Sequence, residues 1–420
     1  MGAGGRRPCL LSYLPSPAKG ESEDQGRFNK RRTEMAYIDR CDWSRCTECG
    51  QCLMQCPVLE MDKPAAVSAI RNLISGAPAP DVFEKCTFCF NCNRYCPVEG
   101  LRPHELILQR ALEHRGKVPG ILKYLANGRG RTNLFSDMYE KFTAEEKQIL
   151  EKWSVVPEQK EILWIGCMGK LSCRDIEHST VLAPLAKFGP PDLCCGELAY
   201  RLCSWEMYEQ TAQRTLEVFS KLNIDRMVCY CGSCYNYFSS ILPKVYGVTL
   251  PFKIISMYQW LWERFEKGEL RVTAPRAFTA AIHESCYVTE LEDDFADCLR
   301  RLYHTAGVET VELAHHGDCN LSCGAVSAVR SLNVLSSIFK EQRRKYGEVS
   351  DAGASQIAVN CPGCYVTLSF SNWLFGKKLR YMPDELLAAF GDTITTPLGK
   401  RMPMIMTTAA RRFPGLMFSR

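Results

Sequence analysis

The sequence predicts a mixed α+β and α/β chain: a mainly helical, cysteine-rich module followed by an α/β unit present twice. Three observations predict it. Two runs of Cys-x-x-Cys-x-x-Cys-x-x-x-Cys-Pro lie near the N-terminus, Cys46 to Pro57 and Cys86 to Pro97, in a chain of 420 residues with 24 cysteines. Apolar strands alternate with helical stretches from residue 161 onward. A third cysteine pattern then recurs in the same order. Cys167, Cys194-Cys195-Gly196 and Cys231-x-x-Cys234 are followed by Cys286, Ser322-Cys323-Gly324 and Cys361-x-x-Cys364, at offsets of 119, 128 and 130 residues.

Taken in order, residues 1–40 read as a flexible arm rich in Gly, Pro, Ser and charge. Arg6-Arg7 before Cys9-Leu10-Leu11 faintly resembles a twin-arginine export signal, but the apolar part is short and broken by Pro15 and Pro17. Met35 offers an alternative start. Residues 41–117 form the two-cluster module, with helical character from Pro64 to Ile74 and an amphipathic helix from Leu101 to Arg115. Residues 118–160, polar and without cysteine, read as a connecting segment.

The first α/β repeat covers 161–270. Its strand Glu161 to Gly166 ends at Cys167, a helical stretch runs through Phe219, and a short strand around Met227-Val228 leads to Cys231. The second covers 271–392, with strands Phe278 to His283 and Gln356 to Val359 and a helix through about Phe339 between them. Residues 393–420 form a basic tail. Pro403 and Pro414 interrupt any helix there, so it reads as loosely ordered or as a peripheral contact with a partner or an anionic membrane surface.

Composition narrows the function classes. With 46% apolar and 24% charged residues, the balance is that of an ordinary globular chain. No apolar stretch reaches the ~18–20 residues of a membrane span. The net charge of +5 sits at the ends: residues 1–34 carry +3 and residues 393–420 carry +5, leaving a mildly acidic body. That argues against nucleic-acid binding. The cysteines fall in metal-ligand spacings rather than in a small secreted disulfide framework, which points to reduced thiolates in a cytoplasmic, anaerobic setting.

The first two runs have the spacing of two-cluster ferredoxins. Three cysteines spaced by two wrap one cubane, and the fourth is carried away to the other. Cluster one takes Cys46, Cys49, Cys52 and Cys96; cluster two takes Cys86, Cys89, Cys92 and Cys56. Paired zinc ribbons are the alternative, disfavoured by the proline after each run. Cys41 lies outside the pattern. In the repeats, two adjacent cysteines suit a distorted or opened cluster with five thiolates better than an ordinary cube, and the following glycine permits close backbone approach. Structural core cysteine is the alternative reading, and a duplicated pattern argues against it.

These residues carry a family resemblance over roughly residues 41–370. The repeats resemble the Cys-Cys-Gly domains of the heterodisulfide reductase catalytic subunit, and the first module resembles its iron–sulfur partner. The fusion looks like the D-type subunit of heterodisulfide reductase and its relatives, which include subunits linked to glycerol-3-phosphate oxidation, dissimilatory sulfite reduction and the benzoyl-coenzyme A reductase complex. The resemblance implies two [4Fe-4S] cubanes and one noncubane [4Fe-4S] cluster on Cys167, Cys194, Cys195, Cys231 and Cys234. In the family's disulfide chemistry two noncubane clusters flank the substrate.

The second repeat departs from this pattern, because Ser322 stands where the first cysteine of the pair belongs. Cys286, Cys323, Cys361 and Cys364 remain, enough for a further [4Fe-4S] cluster or for zinc, and Cys319 is a candidate substitute. The expectation is therefore an electron-transfer subunit of a multi-subunit anaerobic redox complex, the alternative being a catalytic heterodisulfide reductase. Its partners would be a flavoprotein, a reductase or a quinone-linked protein, since no nucleotide fingerprint occurs in a strand–helix context. His283, His315 and His316 read as surface or core histidines or as hydrogen-bond partners near the second set. Cys173, Cys203, Cys229 and Cys298 read as core.

Overall fold

The computed structural model describes residues 41–116, 118–128, 132–202, 205–291, 294–330 and 334–418. The N-terminal arm and Cys203 lie outside them.

Five short helices build the first module: α1 (Gln51–Met54), α2 (Lys63–Ser75), α3 (Pro80–Lys85), α4 (Asn91–Tyr95) and α5 (Pro103–Arg115). The Asp62 carboxylate caps α2 by accepting from Ala65 N at 2.9 Å, and Gly76 at φ 79° ends it. Ala66, Ala69, Ile70 and Leu73 form its buried stripe. The sequence predicts an apolar face on α5; in the fold its N-terminal half is buried all round, His104, Glu105 and Gln109 included.

The segment 118–160 contains α6 (Gly120–Leu125), α7 (Leu134–Tyr139) and α8 (Ala144–Lys152). Asn133 and Thr143 each begin a helix with a reciprocal capping box. Leu122, Phe135, Met138, Ile149 and Leu150 supply enough buried apolar surface to hold the helices in place.

Two four-stranded parallel sheets follow. The first contains β1 (Glu161–Trp164), β2 (Ala186–Phe188), β3 (Arg226–Cys229) and β4 (Lys253–Ser256), in the order β2-β1-β3-β4. The second contains β5 (Phe278–His283), β6 (Val308–Val311), β7 (Gln356–Val359) and β8 (Lys378–Tyr381), in the order β6-β5-β7-β8. The four predicted strands are the central ones of each sheet. Their residues are almost wholly buried, as Ile162, Leu163, Trp164, Met227 and Val228 are, because helices cover both faces. The edge strands are short and partly exposed, so their apolar runs are weak in the sequence. Register aligns Trp164 with Cys229 in the first sheet and His283 with Val359 in the second.

The basic tail is a correction. Leu398–Phe418 is a single helix, α9. Asp384 accepts from Leu398 N at 3.0 Å at its start, Met402 and Ile405 are buried, Arg401 pairs with Glu146, and Arg412 pairs with Asp137 at 2.9 Å. A proline removes one helical hydrogen bond, and these tertiary contacts outweigh that local penalty. Among the described residues, no helix is long and apolar enough to cross a membrane.

Candidate metal centres

In the first module the two cysteine runs adopt matching backbones. Glu48 and Phe88, two residues after the first cysteine of each run, have φ of 52° and 53°; Gly50 and Phe90, two further on, have 72° and 73°. Three of these four are not glycine, so the left-handed turns are strained and need support from their surroundings. The turns aim Glu48 N at Cys46 Sγ and Phe88 N at Cys86 Sγ, both at 3.4 Å. Such N–H···S contacts suit a cluster thiolate.

The fourth cysteine of each run crosses over. Cys96 stands close enough to Cys46, Cys49 and Cys52 for their charges to interact, and Cys56 does so with Cys86 and Cys89. Cys92 faces Cys86 and Cys89. Burial, reinforced by neighbouring thiols, pushes Cys56 up to about 12 and holds Cys52, Cys86 and Cys92 well above the usual thiol range. Metal binding offsets such a penalty by replacing the proton with a cation. Cys41 turns its thiol toward Gly100 O.

In the first repeat, β1 and β3 end side by side where the strand order reverses, the usual place for a ligand in an open parallel sheet. Cys167 follows β1; Cys231 and Cys234 begin the helix after β3. All five predicted thiols meet there. Cys167 Sγ lies 3.8 Å from Cys194 Sγ, and contacts continue from Cys194 to Cys195, to Cys234 and to Cys231. Hydrogen bonds from Cys167 and Cys195 hold Cys194 well below the usual thiol range. The backbone makes room: a Cβ on Gly166, at φ +66°, would lie 2.8 Å from Cys234 Sγ. Lys170 is fully buried nearby, donating to Leu193 O at 3.0 Å. Burial lowers it to about 8, against the pull of Cys167 and Cys194. Five converging thiols, a cradle without a side chain and a buried cation fit an anionic cluster.

The second repeat repeats the geometry with different chemistry. Cys286, Cys323, Cys361 and Cys364 are buried at the matching strand ends. Gly324 has φ 88° where Gly196 has 92°. The Ser322 hydroxyl accepts from Gly324 N at 3.1 Å. Cys319 donates its thiol to His316 O at 3.2 Å and is not among the residues lining the cavity that the four thiols share. His315 is engaged with Glu348 at 2.8 Å and His316 with Leu313 O at 2.7 Å. His283 is different: it is fully buried, and its ring lies with the thiols of Cys323 and Cys364, all three ligand atoms within 4.8 Å of one another. The sequence predicts only a core or hydrogen-bonding residue there. The signal that marks it out is alignment with Trp164 at the end of β1. Cys173, Cys229 and Cys298 are buried core thiols, as the sequence predicts.

Thiols of both repeats line one cavity of about 210 Å³, with Leu122, Phe135 and Arg201 on its walls. The loop of the second cysteine run is docked beside it. Phe88 O accepts from Arg201 at 2.7 Å, Asn320 O from Asn91 at 3.1 Å and Lys85 O from Arg330 at 2.9 Å.

Comparison with known proteins agrees with this geometry. Residues 42–100 match the 4Fe-4S dicluster domain, and residues 163–239 and 280–369 match the cysteine-rich domain. The probable iron-sulfur-binding oxidoreductase FadF of Bacillus subtilis is 23% identical over 62% of this chain and 39% of its own length. The EtfAB:quinone oxidoreductase of Syntrophomonas wolfei is 20% identical over 71% of this chain and 44% of its own length. The D-type subunit of the dihydromethanophenazine:CoB–CoM heterodisulfide reductase of Methanosarcina mazei is 22% identical over 79% of this chain and 89% of its own length. The chain therefore spans less than half of the first two relatives and most of the third. It belongs to the proteins that join a 4Fe-4S dicluster domain to cysteine-rich domains, and is homologous at low identity to the D-type subunit of heterodisulfide reductase and to related iron–sulfur oxidoreductases.

Proposed function

We propose that this chain is an iron–sulfur electron-transfer subunit of a multi-subunit redox complex, cytoplasmic and anaerobic, carrying two cubanes and one noncubane cluster. The clusters would supply one-electron redox capacity. Cys46, Cys49, Cys52 and Cys96 would hold the first cubane, Cys86, Cys89, Cys92 and Cys56 the second. Cys167, Cys194, Cys195, Cys231 and Cys234 would hold the noncubane cluster. Cys286, Cys323, Cys361 and Cys364 would serve a separate centre, a further [4Fe-4S] cluster or zinc.

The observation that carries this reading is the bond from Arg201 to Phe88 O, which ties the loop between Cys86 and Cys89 to the helix that starts at Gly196. The loop of the second run thereby lies against the cysteine-rich half; the thiols of Cys86 and Cys92 are enclosed, whereas those of Cys46 and Cys96 are only part-buried. Such an arrangement suits exchange with a partner at cluster one. A flavoprotein, a reductase or a quinone-linked protein would fit that role, in keeping with the oxidoreductase names of the relatives.

Anaerobic native co-purification tests this. A redox subunit retained stoichiometrically supports the reading; a chain that remains alone and turns over substrate by itself contradicts it. The shared cavity favours a second reading, reduction of a heterodisulfide by this chain. Ser322 weighs against it, since two-sided cleavage needs two comparable clusters. Heterodisulfide turnover by the isolated chain with a viologen donor would establish it.

A further inference from the structure

We infer that the second repeat holds a single tetrahedral zinc ion on His283, Cys323, Cys361 and Cys364, rather than an iron–sulfur cluster. Two departures from the first repeat occur together. Ser322 replaces the first cysteine of the pair, and its hydroxyl is committed to Gly324 N at 3.1 Å. His283 replaces Trp164 at the last residue of the first strand, as the matching registers with Val359 and Cys229 require. Trp164 packs among Phe188, Phe219 and Phe238. His283 has no aromatic packing to explain its burial. Both of its ring nitrogens are buried, and the ring faces the Cys323 thiol rather than a carbonyl, a carboxylate or a hydroxyl. A buried imidazole whose one neighbour is a thiol is better satisfied when a shared metal takes its lone pair.

The spacing decides the kind of centre. Ligands of one zinc ion sit about 2.0–2.3 Å from the metal, which puts donor atoms within about 4 Å of each other. Cubane thiolates each bind a different iron and stand farther apart. Among the described residues, His283, Cys323 and Cys364 form the one group of three candidate ligand atoms mutually within 4.8 Å. Neither ferredoxin set nor the five thiols of the first repeat does so. Cys361 hydrogen-bonds Cys364 just outside this group of three and would complete four donors by turning its thiol onto the metal. Cys286, the other thiol of this set, faces the Arg201 guanidinium as well as Cys323 and Cys361, and in this inference it stands beside the zinc shell rather than in it. Zinc carries no redox change, so this centre would fix the cavity wall and orient the helix after β7, leaving the first repeat as the only redox centre of the cysteine-rich half.

The test is metal analysis and zinc-edge X-ray absorption on the anaerobically purified full chain. The expected result is about one zinc per chain with a shell of one nitrogen and three sulfurs. His283→Ala should lose zinc with its iron count unchanged, and His283→Cys should keep zinc with sulfur only. Should both variants fail to fold, the wild-type shell still decides. An all-sulfur shell, or no zinc and four extra irons, overturns the inference. The inference does not rest on the relay reading, which the iron centre of the first repeat tests separately.

Discussion

Arg201 Nη2 donates to the carbonyl of Phe88 at 2.7 Å, and its guanidinium lies 4.9 Å from the centre of the Phe90 ring. One buried cation thus joins the strained loop of the second cysteine run to the Cys-Cys-Gly helix. Arg201 also pairs with Glu197 at 3.3 Å and faces Cys286. Arg201→Met should leave the iron content unchanged but loosen the docking of the module. Breaking a buried pair of this kind costs about 3–5 kcal/mol, read in anaerobic denaturant melts. Rapid-mixing reduction should then show the cubanes filling normally and the first-repeat centre lagging.

The crossing of the fourth cysteines predicts which variants behave alike. Cys96→Ala should lose the same paramagnetic signal as Cys46→Ala, although the two residues lie in different runs. Cys56→Ala should match Cys86→Ala. Electron paramagnetic resonance of the four dithionite-reduced variants sorts them into pairs; sorting by run would refute the crossing.

Gly166 predicts a steric test of the first repeat. A Cβ there meets Cys234 Sγ at 2.8 Å and requires an L residue at φ +66°. Gly166→Ala should abolish the first-repeat signal while both cubanes survive. Gly347→Ala is the control: nothing lies within 4 Å of its Cβ position, and it sits inside the helix Val334–Asp351, where alanine is favoured by about 1 kcal/mol.

Asp384 predicts a pH dependence of stability. Burial, aided by Asp175 and Glu385, raises its carboxyl from 3.8 to about 7, even though it accepts from Leu398 N. The folded state therefore holds a proton that the unfolded state has released between about pH 4 and pH 7, and the site's contribution to stability falls as pH rises through that window. Above pH 7 the penalty is complete. Asp384→Asn keeps an acceptor for the helix start without the charge. It should be more stable than wild type by roughly 2–4 kcal/mol at pH 8, with the gap narrowing as pH falls toward 5.5. Paired denaturant titrations at the two pH values check this.

Much of the site was legible because metal chemistry fixes spacing in the sequence. The eight ferredoxin cysteines and the five of the first repeat come together in the groups that their spacing suggests. The central strands were legible because their burial on both faces leaves continuous apolar runs, as in Ile162 to Trp164. Three things were not legible. The helices of residues 118–160 carry their apolar residues singly among polar ones, and Leu122 and Phe135 stand out only once their partners are known. The final helix contradicts its own prolines, because Glu146, Asp137 and Asp384, distant in sequence, hold it. His283 shows no local motif. Its meaning comes from a strand register that sets it where the other repeat has Trp164.

The most direct test of the relay account is the iron and acid-labile sulfide content of the anaerobically purified chain, wild type against Cys194→Ala, with spectra of both. Three four-iron clusters give about twelve irons per wild-type chain, and about eight in the variant with both cubane signals intact. About eight irons in both proteins, with no signal lost on removing Cys194, would contradict a cluster in the first repeat and with it the relay.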